Sequence, residues 1–388
     1  MATTTTTTAA MDILNESTQP FPLHIQKETP YASSMPSLAP VDYRALPESD
    51  QAFGGNGAGE MVVEQEQDLE LSPPQNELAN TNLPRSTTAP IHAPFQYISS
   101  LPSKGVRDQV VAALNVWVGA SLDVLPQIVS IVGDIHNISL MLDDVEDASP
   151  LRRSRPSTHT VFGIPQTVNS ATYQLVDVIA RVAEIGGSEC QTICTEEMKN
   201  MLVGQSLDLH WVQHVSPPSV PEYLQMIDGK TGALFRMISR LMIAQSTHPT
   251  KPSDLNNLMM LFGRFFQIRD DYANLVVDQY QESKGFCEDL DEGKWSFILL
   301  HALEHATPSN RALLRNLLMQ RHATGAAGRG HKQLFLGVLE ESGSLAFTAD
   351  ALVSLWGEIE GEICRVERET GTENRLAREM LERLRIQR

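Results

Sequence analysis

Two acidic clusters lie inside otherwise apolar segments, and their residue types suit metal-assisted chemistry. LMLDDVED and FQIRDDYANL contain Asp143, Asp144 and Asp147, and Asp270, Asp271 and Asn274, respectively. On a helix, residues four positions apart share a face, so each cluster directs a pair of oxygen ligands the same way. Carboxylates are costly to bury without cations, and oxygen ligands without a glycine-bearing calcium loop favour Mg²⁺ shared with phosphate oxygens. A solvated helix end is the alternative for one such cluster; two in separate apolar helices favour metal binding.

Basic side chains occur where a phosphate-bearing ligand would need them. The candidates are Lys104, Arg107, Arg152, Arg153, Lys230 with Thr231, Lys284 and Lys294. Each alone is typical of an ordinary surface. Together with two metal-binding clusters they indicate a cavity for two anions, one bound through Mg²⁺ and one bound directly by cations.

Long amphipathic segments must position these side chains. They cover residues 107–122, 125–145, 166–185, 188–209, 221–244, 253–278, 345–368 and 373–388. Proline and glycine breakers lie between them, and strand-like alternation is absent. The pattern predicts an all-α fold, a single large helical bundle around a central cavity, with a mobile Gly- and Ala-rich loop at 323–330.

Composition separates a tail from the folded region. The chain has 388 residues, of which 41% are hydrophobic and 20% charged, which excludes a fibrous or fully disordered protein. Residues 1–90 hold a threonine run, ten prolines and 12 acidic against 3 basic side chains, so half of the net charge of −18 lies there. We expect a disordered acidic tail over 1–90 and one helical domain over 91–388.

The same composition limits the partners and the compartment. A net charge of −18 disfavours nucleic-acid binding. Four cysteines form no disulfide framework, which favours reduced thiols and an intracellular location. No stretch approaches eighteen uninterrupted apolar residues, and neither a secretory signal nor a Ser-Lys-Leu ending is present. We therefore expect a soluble, cytoplasmic protein with no integral membrane segment.

Seven ordered blocks carry a family resemblance. They are SLPSKGVR, HNISLMLDDVEDASPLRR, FGIPQTVNSATY, VGQSLDLHW, DGKTGALFR, FFQIRDDYANL and SKGFCEDLDEGKWSF. This order resembles the trans-prenyltransferases, or polyprenyl synthases, and is most similar to fungal geranylgeranyl diphosphate synthases. The resemblance implies head-to-tail condensation of isopentenyl diphosphate with an allylic diphosphate (dimethylallyl, geranyl or farnesyl) in a homodimer. It is dense over residues 92–300 and looser beyond.

The resemblance also implies roles for individual residues. Three Mg²⁺ would be held by Asp143, Asp144 and Asp147 with Asp270 and Asp271, chiefly through Asp143, Asp147 and Asp270, and Asn274 would end the second motif. Gln205 and Asp208 would support the allylic diphosphate and its metals, and Arg152, Lys230 and Lys284 would contact that diphosphate directly. Lys294 is a further substrate-binding candidate. Lys104, Arg107, His136 and Arg153 would bind isopentenyl diphosphate. Thr231 and Gln267 would lie beside the reacting carbons.

Product length should depend on what closes the apolar pocket beneath the first motif. Ile138 and Ser139 lie one turn before Asp143, where relatives that stop at fifteen carbons carry aromatics. Fungal twenty-carbon enzymes place bulk or polarity deeper, where this chain has Leu175, Val176 and Leu202 with Val203. We expect a C20 product, with C25 or longer as the alternative.

Two rival functions remain. A class I terpene cyclase shares the all-α architecture and the first motif, but its second motif would be an Asn, Ser, Glu triplet rather than a second aspartate pair. A non-catalytic, prenyl diphosphate-binding regulatory subunit would be expected to lose aspartates, yet both sets are present. The enzyme is favoured.

Overall fold

The protein is described here by a computed structural model that covers residues 85–102, 105–276 and 287–385. All of these residues belong to one compact unit. The elements are α1 Arg85–Ser100, α2 Val106–Val118, α3 Leu125–Glu146, β1 Leu151–Arg152, β2 Arg155–Pro156, α4 Thr158–Phe162, α5 Ile164–His214, α6 Val220–Ile227, a π-helical turn Asp228–Gly232, α7 Ala233–Ala244, α8 Asn256–Val276, α9 Glu288–Glu292, α10 Phe297–His305, α11 Pro308–Thr324, α12 Arg329–Glu341, α13 Ser344–Thr370 and α14 Arg375–Arg383. The predicted all-α class is confirmed.

The longest helix, α5, is kinked where the sequence predicts a break. Gly186 and Gly187 leave helical geometry, and Gly187 has a φ of 59°, which glycine adopts without steric cost. The two predicted segments 166–185 and 188–209 are therefore the two arms of one kinked helix. The arms pack against α3 and α7, so the kinked helix forms one wall of the bundle.

Capping residues define the ends of α6 and α13. Ser219 and Glu222 form a reciprocal capping box at the start of α6, which satisfies backbone donors that the first turn leaves free. Gly343 and Gly371 flank α13 in the left-handed region, and α13 packs along α8. The capping box fixes the start of α6, the helix that leads directly into the π-helical turn.

Two local expectations were wrong. Residues 323–330 were predicted as one mobile loop, but α11 continues to Thr324 and α12 begins at Arg329, with Gly325 ending α11 at a φ of 79°. Asp291 accepts a hydrogen bond from the backbone of Ala327 at 3.1 Å, which fixes the short connection. Strands were not expected, yet β1 and β2 pair antiparallel over two residues each.

The predicted tail lies largely outside the described residues. Residues 1–84 are not described, and α1 begins at Arg85 and continues past residue 91. The tail and the boundary at 90 stay predictions. By length and composition alone, α3 is the one helix among 85–102, 105–276 and 287–385 that could cross a membrane, a test that core helices of soluble proteins also pass.

Candidate active site

The first acidic motif occupies the last turn of α3. Asp143 Oδ1 lies 3.3 Å from Lys230 Nζ, and Asp147 Oδ2 lies 2.8 Å from Lys294 Nζ. The carboxyl end of a helix carries partial negative charge, so two carboxylates there need cations close by. Burial is outweighed at Asp143 by Lys230 and Lys294, which hold its pKa well below the usual range. Burial raises the pKa of Asp147 to about 6, although Lys294 opposes it.

Asp144 turns away from the lysines and into the protein. Its side chain is fully buried and accepts two hydrogen bonds from Arg152, one of them from Nε at 2.7 Å. Arg152 also reaches Asp143 at 3.2 Å, and Gln205 donates to Asp143 at 3.2 Å and to Glu146 at 2.8 Å. Burial raises the pKa of Asp144 against the attraction of Arg152. Arg152 and Gln205 therefore orient the motif from both sides.

The second acidic motif lies near the end of α8. Asp271 is buried and accepts hydrogen bonds from Tyr223 Oη at 2.9 Å and from Gln267 Nε2 at 2.8 Å. Asp270 is half-buried, and Asn274 is 2% exposed with neither amide atom hydrogen-bonded to a described residue. Burial raises the pKa of Tyr223, and Asp271 adds to that rise, so Tyr223 stays a hydrogen-bond donor.

The π-helical turn connects the two motifs. Lys230 Nζ lies 2.7 Å from Asp208 Oδ2 as well as near Asp143. The next residue, Thr231, donates to Gln267 Oε1 at 2.9 Å. An uninterrupted path of contacts thus leads from Asp143 through Lys230 and Thr231 to Gln267, which in turn contacts the second motif. These contacts link the two predicted clusters.

A third cation approaches the first motif from the turn after α9. Lys294 follows Gly293, whose φ of 73° allows the sharp reversal, and its ammonium pairs with Glu292 as well as Asp147. Glu292 also accepts a hydrogen bond from Ser149 at 2.6 Å, which ties this turn to the end of the first motif. Lys294 therefore stands between two carboxylates and, like Lys230, acts as an internal counter-ion.

A second group of basic side chains, the candidate anion site, lies beside the first motif. Arg107 lies on the first turn of α2, His136 on α3, and Arg153 donates to the backbone oxygen of Leu101 at 3.2 Å. Burial and then Arg153 lower the pKa of Arg107 to about 10. Burial and then Arg107 lower the pKa of His136 well below its usual range. Two half-buried arginines that repel each other, beside a histidine held neutral, fit a position that an anion would occupy.

The residues assigned to product length are divided between the interior and the surface. Ile138 is buried, Ser139 is half-buried, and Leu175 packs partly buried against the core. Val176 is 64% exposed and Leu202 is 58% exposed. Both side chains therefore lie at the surface of a single chain, and residue 176 is turned about 100° from residue 175 around α5. Their predicted place in the pocket stays a prediction.

Some expected residues are not described, and some important ones were missed. Lys104 and Lys284 lie outside the described residues, so their predicted roles stay predictions. Sequence reasoning missed Tyr223, Glu292 and Arg264. Glu292 had a usable signal, since it stands two positions before Lys294 in DEGKW. Tyr223 and Arg264 had none, because their partners lie 48 and 36 positions away along the chain.

Comparison with known proteins identifies a family and several similar fungal enzymes. The family description "Polyprenyl synthetase" matches residues 88–329. Geranylgeranyl pyrophosphate synthase A of Phomopsis amygdali is 54% identical over 305 residues, 78% of each chain. Talaropentaene synthase of Talaromyces verruculosus is 44% identical over 89% of this chain and 50% of its own length. A bifunctional sesterterpene synthase of Aspergillus aculeatus is 45% identical over 77% of this chain and 42% of its own.

The match to the family model and to the 54% identical relative, on an all-α bundle with two acidic motifs, defines a prenyltransferase of isoprenoid biosynthesis. The chain belongs to the polyprenyl synthetase family. This family acts on isoprenyl diphosphates and generally uses Mg²⁺. The chain spans half or less of the length of the last two relatives. The activity of the unmatched part of those proteins therefore does not apply to this chain.

The residues present fit magnesium. The donors are oxygen atoms, as Mg²⁺ prefers, and Asp143 and Asp147 share a face one turn apart. Both amide atoms of Asn274, at the end of the second motif, are buried without a hydrogen-bond partner among the described residues. No group of three or more His, Cys, Asp or Glu residues in the described part of the chain forms a metal cage by itself. Asp143, Asp147 and Asp270 therefore suit a metal that phosphate oxygens help to hold.

Proposed function

We propose that this chain is a geranylgeranyl diphosphate synthase that condenses isopentenyl diphosphate with dimethylallyl, geranyl or farnesyl diphosphate. The observation that carries the proposal is the path of contacts from Asp143 through Lys230 and Thr231 to Gln267. It gives one site two acidic motifs, cations for a leaving diphosphate and polar groups beside it. The relative that is 54% identical over 78% of both chains, a geranylgeranyl pyrophosphate synthase, supports the C20 product.

The charges divide the two substrates between two positions. Lys230, Lys294 and Arg152, with Lys284, would bind the allylic diphosphate, and Gln205 and Asp208 would orient those groups. Arg107, His136 and Arg153, with Lys104, would bind isopentenyl diphosphate. Both positions lie within electrostatic range of each other, since the pKa of His136 responds to Arg152 and Asp143. The assignment therefore brings the two carbon chains together.

The chemistry follows from this arrangement. Mg²⁺, expected as three ions held by Asp143, Asp147 and Asp270, would neutralise charge on the diphosphate. Lys230 and Arg152 stabilise the charge that develops as the allylic C–O bond breaks. The new C–C bond forms between the allylic carbon and the terminal alkene carbon of isopentenyl diphosphate, and the proton then lost goes to the departing diphosphate. Apolar helix faces exclude water from the cation.

The decisive experiment is incubation of the full chain with Mg²⁺, isopentenyl diphosphate and each allylic starter, followed by chromatography of the dephosphorylated alcohols. We expect geranylgeraniol. Asp143→Asn should lower the rate by about a hundredfold or more, because it removes charge at the reacting diphosphate. Asp123→Asn, the same change at an exposed position before α3, should have no such effect. Absence of any chain elongation by the wild type would refute the proposal.

The same assay separates the rival functions. A class I terpene cyclase would convert an allylic diphosphate to hydrocarbon without consuming isopentenyl diphosphate. A regulatory subunit would bind prenyl diphosphates and leave both substrates unchanged. The second aspartate pair and the half-buried group of Arg107, His136 and Arg153 favour condensation, since a cyclase has no use for a second diphosphate site.

A product of C25 or longer is the alternative, and it has specific support. Two relatives, 45% and 44% identical, are named bifunctional sesterterpene synthases, and sesterterpenes have 25 carbons. Leu175→Tyr should shorten the product, because Leu175 packs against the core. Val176→Phe is the matched comparison at an exposed position and should change product length only where another chain covers it. Product masses that do not shift with Leu175→Tyr would refute this pocket assignment.

We also propose a cytoplasmic homodimer. Exposed apolar side chains along α5 support a second copy as the partner: Val168, Tyr173, Val176, Leu202 and Val203. Burying this face is favourable by the hydrophobic effect. Light scattering of the full chain should give twice the chain mass, and a monomer at all concentrations would contradict it. Four cysteines without a disulfide support a reducing compartment, which imaging of a fluorescent fusion would test.

A further inference from the structure

The π-helical turn Asp228–Gly232 interrupts what would otherwise be a continuous helix from α6 through α7. It carries Lys230 and Thr231 into the site. π-Helical turns are rare and frequently lie at functional sites. Contacts from neighbouring helices hold this one in place.

Backbone contacts hold the turn from two sides. A Cβ on Gly204 of α5 would lie 2.3 Å from Lys230 N, and a Cβ on Gly229 would lie 2.7 Å from the backbone oxygen of Asn200. On the opposite side, a Cβ on Gly263 of α8 would lie 2.7 Å from the backbone of Gly232. Both helices thus approach the turn closely enough that only glycine fits.

A buried ion pair holds the first residue of the turn. Arg264, 1% exposed, donates from Nε to Asp228 Oδ1 at 2.7 Å and from Nη2 to Asp228 Oδ2 at 2.6 Å. Arg236 donates to the backbone oxygen of Asp228 at 2.8 Å and pairs with buried Glu197 at 2.9 Å. A bidentate arginine–carboxylate pair fixes orientation as well as distance. Asp228 is therefore held through both its side chain and its carbonyl group.

The arginine and the site glutamine share one helix. Arg264 and Gln267 are three residues apart on α8 and so lie on one face, where Arg264 binds the beginning of the turn and Gln267 accepts from Thr231 within it. This double attachment sets the register between the turn and α8. The turn cannot rotate without breaking either the ion pair or the hydrogen bond from Thr231.

We infer that Asp228 and Arg264 are positioning residues, which fix the π-helical turn so that Lys230 and Thr231 meet the allylic diphosphate and Gln267. They act through the turn and have no contact with substrate of their own. This inference rests on the proposed condensation and adds to it a pair that the acidic and basic motifs do not contain.

Two variants of the pair and one matched control test the inference. Arg264→Lys keeps the charge but loses the bidentate contact, and Asp228→Asn keeps the shape but loses the charge. Arg181→Lys is the control, because Arg181 also joins two helices, through Asp134 at 2.6 Å, and lies outside the site. Rates are measured per folded molecule, with KM for both substrates, and backbone hydrogen exchange is followed across the turn.

We expect Arg264→Lys and Asp228→Asn to lower kcat by about tenfold or more, since small misplacements of positioned groups are costly. KM should change by no more than about threefold, because the diphosphate contacts survive. Exchange of the amides in the turn should rise by about tenfold. Arg181→Lys should leave all three unchanged. A kcat per folded molecule equal to that of the control, or unchanged exchange in the turn, would overturn the inference.

A folding failure would not end the test. If the single variants do not fold, the double variant Asp228→Asn with Arg264→Met replaces the pair by neutral groups of similar size, which often preserves stability. It should fold and show the same rise in exchange; protection equal to wild type would refute the positioning role. Exchange is independent of product, so a wild type that fails to condense substrates would refute the proposed function without deciding this inference.

Discussion

Arg152→Met should destabilise the protein strongly, and the reason lies in Asp144. That carboxylate is fully buried, and its Oδ2 has no hydrogen-bond partner among the described residues, so Arg152 supplies its counter-charge. Arg152 itself is only 17% exposed, so solvent screens the pair weakly. Leaving such a charge buried and unpaired costs about 3–5 kcal/mol. In a folded region of about 300 residues that lowers the midpoint of thermal unfolding by roughly 5–8 °C.

The assay is a double-mutant cycle in thermal and urea unfolding. Asp144→Asn alone should cost less than Arg152→Met, because Arg152 keeps its contact with Asp143 at 3.2 Å. The double variant should recover part of the loss, since the buried charge is gone. The loss for Arg152→Met should also shrink as pH falls, because burial raises the pKa of Asp144 and protonation then removes the charge. A loss below about 1 kcal/mol, or no recovery in the double variant, would refute the reasoning.

Three further outcomes follow. Gly263→Ala should lower the free energy of unfolding by about 1–3 kcal/mol, because the new Cβ clashes with the turn. Gly357→Ala is the control, since a Cβ there meets nothing within 4 Å. In the same thermal scan it should leave the free energy of unfolding unchanged or raise it by up to about 1 kcal/mol. Burial and Arg107 lower the pKa of His136, and bound isopentenyl diphosphate should raise that pKa. The affinity for isopentenyl diphosphate, measured by calorimetry, should therefore increase as the pH falls toward the lowered pKa of the free protein. His136→Gln should remove this pH dependence. Inorganic pyrophosphate should raise the affinity for Mg²⁺ by about tenfold or more, and Lys230→Met should weaken that coupling; equal Mg²⁺ affinity with and without pyrophosphate would contradict it.

The sequence anticipates those parts of the site that depend on local spacing. Asp143 and Asp147 share a face because four residues make about one helical turn, and the apolar period around them predicts α3. The kink at Gly186 and Gly187 was equally readable, since paired glycines disfavour a regular helix. Contacts between side chains that are far apart in the sequence could not be predicted from it. Arg264 reads as an ordinary charged residue of an amphipathic helix, and only folding brings it to Asp228.

The π-helical turn is a second feature that the sequence alone does not predict. DGKTG was recognisable as a cationic motif, but its residues predict a continuous helix from α6 to α7 as readily as a π-helical insertion. The insertion is decided by Gly204 and Gly263, which let two other helices close on the turn.

The exposure of a side chain is another property that the sequence alone does not determine. Val176 and Leu202 belong to an apolar pattern, but the face of α5 on which each lies depends on the packing of its neighbours.

The lysines of the site have a role that neither acidic motif reveals alone. Lys230 pairs with Asp143 and Asp208, so the free enzyme already neutralises carboxylates that a metal would otherwise have to stabilise. Lys294 does the same for Asp147. A metal arriving alone would compete with these ammonium groups for the same oxygens and leave them without a partner. A diphosphate arriving with the metal offers the lysines new acceptors, so both sets of charges remain paired. Electrostatics therefore favours joint binding of metal and diphosphate, and the site stays folded and charge-balanced before either is present.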